Sequence, residues 1–269
     1  NYNRSKTEKM NLFKKAIFFT DVHFGLKSNS RTHNQDCLDF VDFVIKTGKE
    51  QNCETCVFLG DWHNNRASLQ IGTLNYSVQA IDKLSAAFDQ IIFIPGNHDE
   101  HYRDTREMNS VVWAKKYENV RLFDEITTVD DVCITPWLVG DEHKQIKKVE
   151  AKYMFGHFEL PSFYMNAMVQ MPDVGDLRRD DLKCENVFTG HFHKRQTSKN
   201  ITYIGNAFPH NYADVGDDDR GCMVLDWGKD PVYIPWPDAP KYRKFRLSEI
   251  LEDTDRLLLS NMYCRVEID

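Results

Sequence analysis

Ile91–Glu100 reads IIFIPGNHDE: a short apolar run, rich in β-branched and aromatic side chains, that stops at Gly96 and gives way to Asn97, His98 and Asp99. A run of this length and type is how a strand buried on both faces reads. In α/β sheets ligands gather at the C-terminal edge of the strands, so an amide, an imidazole and a carboxylate delivered there make a candidate site. Gly, Asn and Asp are also favoured in polar turns. This stretch alone fits both readings.

The pattern recurs along the chain. Ala16–Thr20 (AIFFT) ends in Asp21-Val22-His23-Phe24-Gly25, and Thr55–Leu59 (TCVFL) ends in Gly60-Asp61-Trp62-His63-Asn64. A helix is predicted from about Thr32 to Lys49, where Cys37, Leu38, Val41, Val44 and Ile45 recur at helical spacing. A second, with Leu74, Val78, Ile81, Leu84 and Phe88 on one face, leads to the Ile91 strand. Alternating strands and helices imply a largely parallel sheet.

A short helix is expected around Val111–Lys116. Val120–Phe123, Ile126–Val129 and Val132–Thr135 then read as strands with little helix between them, which implies a meander or a second sheet. Lys152–Phe155 runs into Gly156-His157-Phe158-Glu159, and Asn186–Thr189 into Gly190-His191-Phe192-His193. Ile201–Ile204 opens onto the turn-rich loop GNAFPHNYADVGDDDRG, followed by a closing hairpin of Cys222–Asp226 and Pro231–Ile234. Leu247–Ser260 is predicted as a helix and Tyr263–Ile268 as a last strand. The expected organisation is a polar tail over residues 1–14, one main domain over 15–245, and the start of a further module over 246–269. The chain does not begin with Met, which fits a trimmed or partial chain.

No apolar run approaches the roughly 18 residues of a membrane span, and the basic, polar N-terminus lacks the apolar core of a signal peptide. A cytoplasmic protein with no membrane partner is expected. The seven cysteines, most in apolar contexts, read as buried thiols. Cys53 and Cys56 have CxxC spacing, but no second pair completes a zinc site. The net charge of −7 argues at first sight against nucleic acid. Carboxylates that hold divalent cations count towards that total, however, and bound metals would reverse the local sign.

Five strand ends thus carry Asp21 and His23, Asp61, Asn97 and His98, His157, and His191 and His193. Taken singly, a histidine in a polar turn is usually solvated, and Asp21 or Asp61 could be a helix N-cap. Five such coincidences in one chain point instead to a shared site. Asp, Asn and His ligands without thiolate suit manganese, iron, zinc or nickel rather than magnesium alone. Seven ligands fit two metals if one carboxylate bridges, an arrangement that can clamp a phosphoryl group and activate a water for in-line attack.

The ordered set DVH, GD, GNHD, GH and GHFH resembles the signature of calcineurin-like metallophosphoesterases, over residues 16 to about 235. The resemblance implies a four-layer α/β/β/α sandwich with a dinuclear site at one sheet edge. It implies that Asp21, His23 and His193 bind one metal, that Asn97, His157 and His191 bind the other, and that Asp61 bridges them. His98 would be the catalytic histidine that binds no metal. GNHDEHY, GHFELPSFY and GHFHKRQTSKNITYIGNAF followed by DDDRG are similar to the SbcD-type repair nucleases, including the recombination endonuclease subunit of large tailed phages. That likeness implies manganese-dependent exonuclease and endonuclease action on DNA and an SMC-like ATPase partner subunit. It also implies a homodimer, and a capping region that residues 246–269 only begin. One position departs from the pattern. Cellular members carry a second histidine three residues after the bridging aspartate, where this chain has Asn64, with His63 one residue earlier.

Arg66, Arg103, Arg106, Lys194 and Arg195 lie near the site loops as candidate phosphate contacts, with His63, Asn64, His101 and Tyr102 as further candidate substrate contacts. The same metal site could serve a nucleotide or protein phosphatase, which the acidic loop Asp214–Asp219 suits better than a DNA groove. A regulatory subunit with the fold but weak chemistry is a third class, and the intact ligand set argues against it.

Overall fold

The computed structural model describes residues 11–166 and 168–269; most of the tail expected over residues 1–14 lies outside them. The parallel sheet begins as expected, with β1 (Lys15–Phe19), β2 (Thr55–Phe58), β3 (Gln90–Phe93) and β4 (Val120–Leu122) side by side in chain order. The helices Arg31–Glu50 and Ile71–Ala87 make the crossovers. The expected helix near Val111 is a 3₁₀ turn, Val112–Lys116.

The strands after β4 build a second sheet rather than extend the first. These are β5 (Thr127–Val129), β6 (Val132–Ile134), β7 (Tyr153–His157), β8 (Asn186–Gly190), β9 (Gln196–Ser198) and β10 (Ile201–Tyr203). Their spatial order is β5-β6-β7-β8-β10-β9. The chain then returns to the first sheet, where β11 (Gly221–Asp226) pairs antiparallel with β1 and makes a hairpin with β12 (Val232–Pro235).

Alternation along each strand sorts side chains into layers. Ile17, Phe19, Cys56, Phe58, Ile91 and Phe93 face the two long helices. Their neighbours Phe18, Val57 and Ile92 turn inward and meet Val132, Phe155 and Phe188 of the second sheet. Met154, Val187 and Tyr203 face outward, under Ile146, Leu160, Phe163 and Leu182. The fold is therefore a mixed α/β sandwich of two packed sheets. Its outer layer over the second sheet is made of loops and short turns such as His143–Ile146 and Arg179–Asp181, not of long helices.

All seven cysteines are free, and Cys53 and Cys56 are buried. The last segment differs from expectation. Lys241–Arg246 is a strand, β13, which pairs in parallel with β14 (Met262–Glu267) as a separate two-stranded sheet. The helix predicted over Leu247–Ser260 is two short pieces, Leu247–Glu252 and Thr254–Leu257. It is broken at Asp253, whose side chain caps the second piece through the Arg256 amide.

Candidate metal centre

The two sheets bring the five strand ends that carry candidate ligands to one edge. The parallel pairing of β1 and β2 continues past the strands, because the amides of Asp21, His23 and Phe24 donate to the carbonyls of Gly60, Asp61 and Trp62 at 2.8–3.1 Å. Asp21, His23, Asp61 and His191 all adopt left-handed backbone, with φ of 53°, 54°, 62° and 91°. This conformation is costly for residues other than glycine, and it recurs where structure around a site over-determines it. Close approach is a second local demand. A Cβ on Gly96 would collide with the Asp61 carboxylate and amide, so only glycine lets β2 and β3 deliver their ligands together.

Asp99 ties these loops into one unit. Its carboxylate accepts from the amides of Asp61, Trp62, His63 and Gly96, all at 2.9–3.1 Å.

Two groups of candidate ligands meet at Asp61. On one side, His23 Nε2 lies 3.6 Å from both Asp21 Oδ1 and Asp61 Oδ2, and His193 Nε2 lies 3.8 Å from Asp21 Oδ1. On the other, His157 Nε2 lies 3.3 Å from the same Asp61 Oδ2. Asn97 Oδ1 is 3.0 Å from both His157 Nε2 and His191 Nδ1. Ligands about 2.1 Å from a shared cation stand roughly 3–3.5 Å apart, which matches the closer of these spacings. Asp21 Oδ1 and both ring nitrogens of His23 are buried without a hydrogen-bond partner, as cation ligands would be in a metal-free chain. The set fits divalent metals. His157 Nδ1 donates to the Leu59 carbonyl at 2.7 Å, which aims Nε2 at Asp61 and Asn97.

The electrostatics agree. Burial pushes Asp61 up, but His157, His23 and His98 outweigh it and hold the carboxyl well below its ordinary range. Burial works against protonated His157, yet Asp61 and Asp21 raise it to about 9. An imidazolium thus offsets the paired carboxylates that a cation would otherwise neutralise. Burial and the neighbouring His157 charge push His191 down to about 3, which leaves it a neutral donor.

His98 stands beside this cluster. Its Nδ1 donates to the Asn64 carbonyl at 2.7 Å, its amide donates to Asp61 Oδ1 at 2.8 Å, and its ring lies 4.9 Å from that of His23. It lines a cavity of about 190 Å³ together with His23, Asp61, Asn64, His191 and His193. Leu26, His210 and Asn211 also line it; of these the sequence reading missed one possible metal ligand, His210, on the loop between β10 and β11.

The candidate substrate contacts divide. His63 is fully buried, with its ring nitrogens 2.8 Å from Ser77 and Ser110, so it supports the fold and does not face the cavity. Asn64 lines the cavity, and its main chain holds His98. His101 binds the Arg66 carbonyl at 3.1 Å and packs against the exposed Tyr102. Arg103 is exposed, and Lys194 lies over the Tyr164 ring. Arg106 and Arg195 are committed within the protein, Arg106 to Glu100 and Glu142 and Arg195 to Asp219. The acidic loop is likewise neutralised from within. Asp214 and Asp217 meet the buried Arg220, and Asp218 meets Arg243.

A two-sheet sandwich whose edge gathers Asp, Asn and His side chains that could hold metal has the architecture of a metallophosphoesterase. Residues 14–195, about two thirds of the chain, match the calcineurin-like phosphoesterase family, and the chain belongs to it. It is also 29% identical over 222 residues to "Exonuclease subunit 1" of Enterobacteria phage T4. That alignment covers 79% of this chain and 64% of the relative, so the chain spans just under two thirds of the relative's length. Pseudomonas putida nuclease MPE, a crystal structure, is 17% identical, with a TM-score of 0.34 over 66% of this chain and 61% of that one. The chain thus has the fold of this phosphoesterase family, side chains that could hold a divalent metal, and a phage exonuclease subunit among the proteins it is similar to. Among its described residues no helix is long and apolar enough to cross a membrane.

Proposed function

We propose that this chain is a manganese-dependent DNA exonuclease and endonuclease subunit acting in recombination and double-strand-break repair. It would work as a homodimer with an SMC-like ATPase subunit, in the cytoplasm of its host. Asp61 Oδ2, standing between two groups of candidate ligands, is the observation that carries phosphodiester hydrolysis. The likeness to a phage exonuclease subunit supports DNA as substrate. Internal pairing of the acidic loop removes the main electrostatic argument for the phosphatase alternative.

In this reading Asp21, His23 and His193 hold one manganese, Asn97, His157 and His191 the other, and Asp61 both. Bound metal would supply Lewis acidity for a water nucleophile and charge stabilisation for the phosphoryl group. Water oxygen bonds to phosphorus as the ester P–O bond breaks, and the leaving oxygen takes up a proton. The proton lost by the attacking water would be taken up by His98 Nε2, left free because the Asn64 carbonyl engages Nδ1, and passed from there to the leaving oxygen. Arg66, His101, Tyr102, Arg103 and Lys194 would contact DNA. Residues 15–245 form the nuclease domain. β13 (Lys241–Arg246), at the boundary, pairs with β14 in the region expected as the start of a cap over 246–269.

End-labelled single- and double-stranded DNA, incubated with the purified chain and manganese or magnesium, with and without the ATPase subunit, tests this. Cleavage is expected with manganese and should vanish in Asp61→Asn. A chain that hydrolyses nitrophenyl phosphate but leaves all DNA intact, with its partner present, is a phosphatase and overturns the reading.

A further inference from the structure

His210 is 1% exposed, and neither of its ring nitrogens has a hydrogen-bond partner. An ordinary core histidine satisfies at least one of them. The ring lies 5.3 Å from that of His193 and 5.5 Å from that of His23, and the three offer nitrogens within 4.8 Å of one another. The main chain on either side of the ring is fixed. The His210 amide donates to Asp214 Oδ2 at 2.9 Å, its carbonyl accepts from the Tyr242 hydroxyl at 2.8 Å, and Phe208 packs edge-on at 4.9 Å. A buried imidazole aimed at two others, rigidly held and unpaired, is in the condition of a ligand waiting for a cation.

We propose that His210 is an additional ligand of the metal held by Asp21, His23 and His193. This rests on the dinuclear reading and adds to it an asymmetry. One site then has five protein ligands, counting Asp61, and the other four. The richer site holds its ion more firmly, and the poorer keeps more positions open for water and phosphate. Tyr242 lies on β13, so the small C-terminal sheet braces this ligand directly.

Calorimetric titration of the chelator-stripped full chain with manganese tests the proposal, alongside visible spectra of the cobalt-loaded protein. In His210→Ala the tighter class of site is expected to weaken at least about tenfold, the other to stay within about twofold, and the cobalt bands to change. Tyr242→Phe keeps the imidazole and loosens its support, so a smaller weakening of the same site is expected. This variant carries the test if His210→Ala does not fold. Wild-type constants and spectra in every variant that folds overturn the proposal. A wild type that binds one ion, weakened in His210→Ala, overturns the dinuclear reading and upholds this one; a wild type that binds none overturns both.

Discussion

His98 donates its Nδ1–H to the backbone carbonyl of Asn64 at 2.7 Å. A carbonyl can only accept, so the bond fixes the tautomer and leaves Nε2 as the free nitrogen. The side chain at position 64 plays no part in this bond. The main chain therefore orients His98 even though the chain has Asn64 where cellular relatives of the resembled family carry a histidine. Neighbouring His63 does not replace that histidine, because it is buried against Ser77 and Ser110.

The two residues can be separated by mutation. His98→Ala should lower DNA hydrolysis by about 10²–10⁴-fold while both metals still bind, the range for loss of a positioned acid–base group. Asn64→Ala keeps the carbonyl and should stay within a few-fold of wild type. Turnover measured beside metal content checks both. Equal losses in the two variants would mean that the Asn64 side chain has a role of its own.

Asp99 holds four backbone amides from two loops, and no other side chain among the described residues is bonded to them. Asp99→Ala strands those donors in a buried site at about 1–3 kcal/mol each, less whatever water recovers. A loss on the order of 3 kcal/mol, or roughly 10 °C in melting midpoint, is expected. Thermal unfolding of the metal-free protein reads it. An unchanged midpoint would show that the loops hold their positions without this carboxylate.

How far the sequence revealed this arrangement depends on distance along the chain. Asn97, Asp61, His157 and His191 each follow an apolar strand and a glycine, so local pattern alone marks them. His210 stands seven residues beyond the end of β10, inside a long polar loop, and nothing adjacent sets it apart. Its position depends on Asp214 and Tyr242, which only folding brings together. β13, reading KYRKFR, lacks a clean two-residue alternation; the Tyr242–Tyr263 stack helps join it to β14. The pairing of Arg106 with Glu142 crosses 36 residues and takes a candidate DNA contact out of play, which composition cannot foresee. The left-handed backbone at Asp21, His23, Asp61 and His191 is likewise invisible in the letters.

Arg220 is the fixed point of the acidic loop. It is 1% exposed, bonds Asn206 through Nε at 2.6 Å, and meets Asp217 with two nitrogens at 2.7 and 2.9 Å. Arg220→Ala leaves the buried Asp214 without its cation, and the loss of one partner in a buried pair costs about 3–5 kcal/mol. Arg220→Lys should recover little, because a point charge cannot reproduce the two-pronged contact. Denaturant unfolding of the three proteins checks this, and full recovery by lysine would refute the geometric argument.

Acid sensitivity follows from the two histidines that lie behind the site and outside the candidate ligand set. Burial pushes His63 down to about 3; burial, with the Lys27 charge, does the same to His33. In the unfolded chain both return to about 6.5. Above that value neither state binds the proton and stability is unaffected. As pH falls below 6.5 the unfolded chain protonates first, so stability drops, by about 1.4 kcal/mol per pH unit for each histidine, until the folded values near 3 are reached. His157 acts in a different window. Its folded value near 9 gives a contribution that is complete below pH 6.5 and fades towards 9, so it cannot mask the effect. Asp99 and Glu100, which burial raises to about 7, work in the opposite sense over this range, so the histidine contribution to the slope of stability against pH, read by urea unfolding of the metal-free protein at pH 7, 6 and 5, is isolated by mutation. His63→Gln, which cannot titrate, should lower that slope by about 1.4 kcal/mol per pH unit, whatever it does to stability at pH 7. Parallel slopes in wild type and variant would mean that His63 takes up its proton without unfolding.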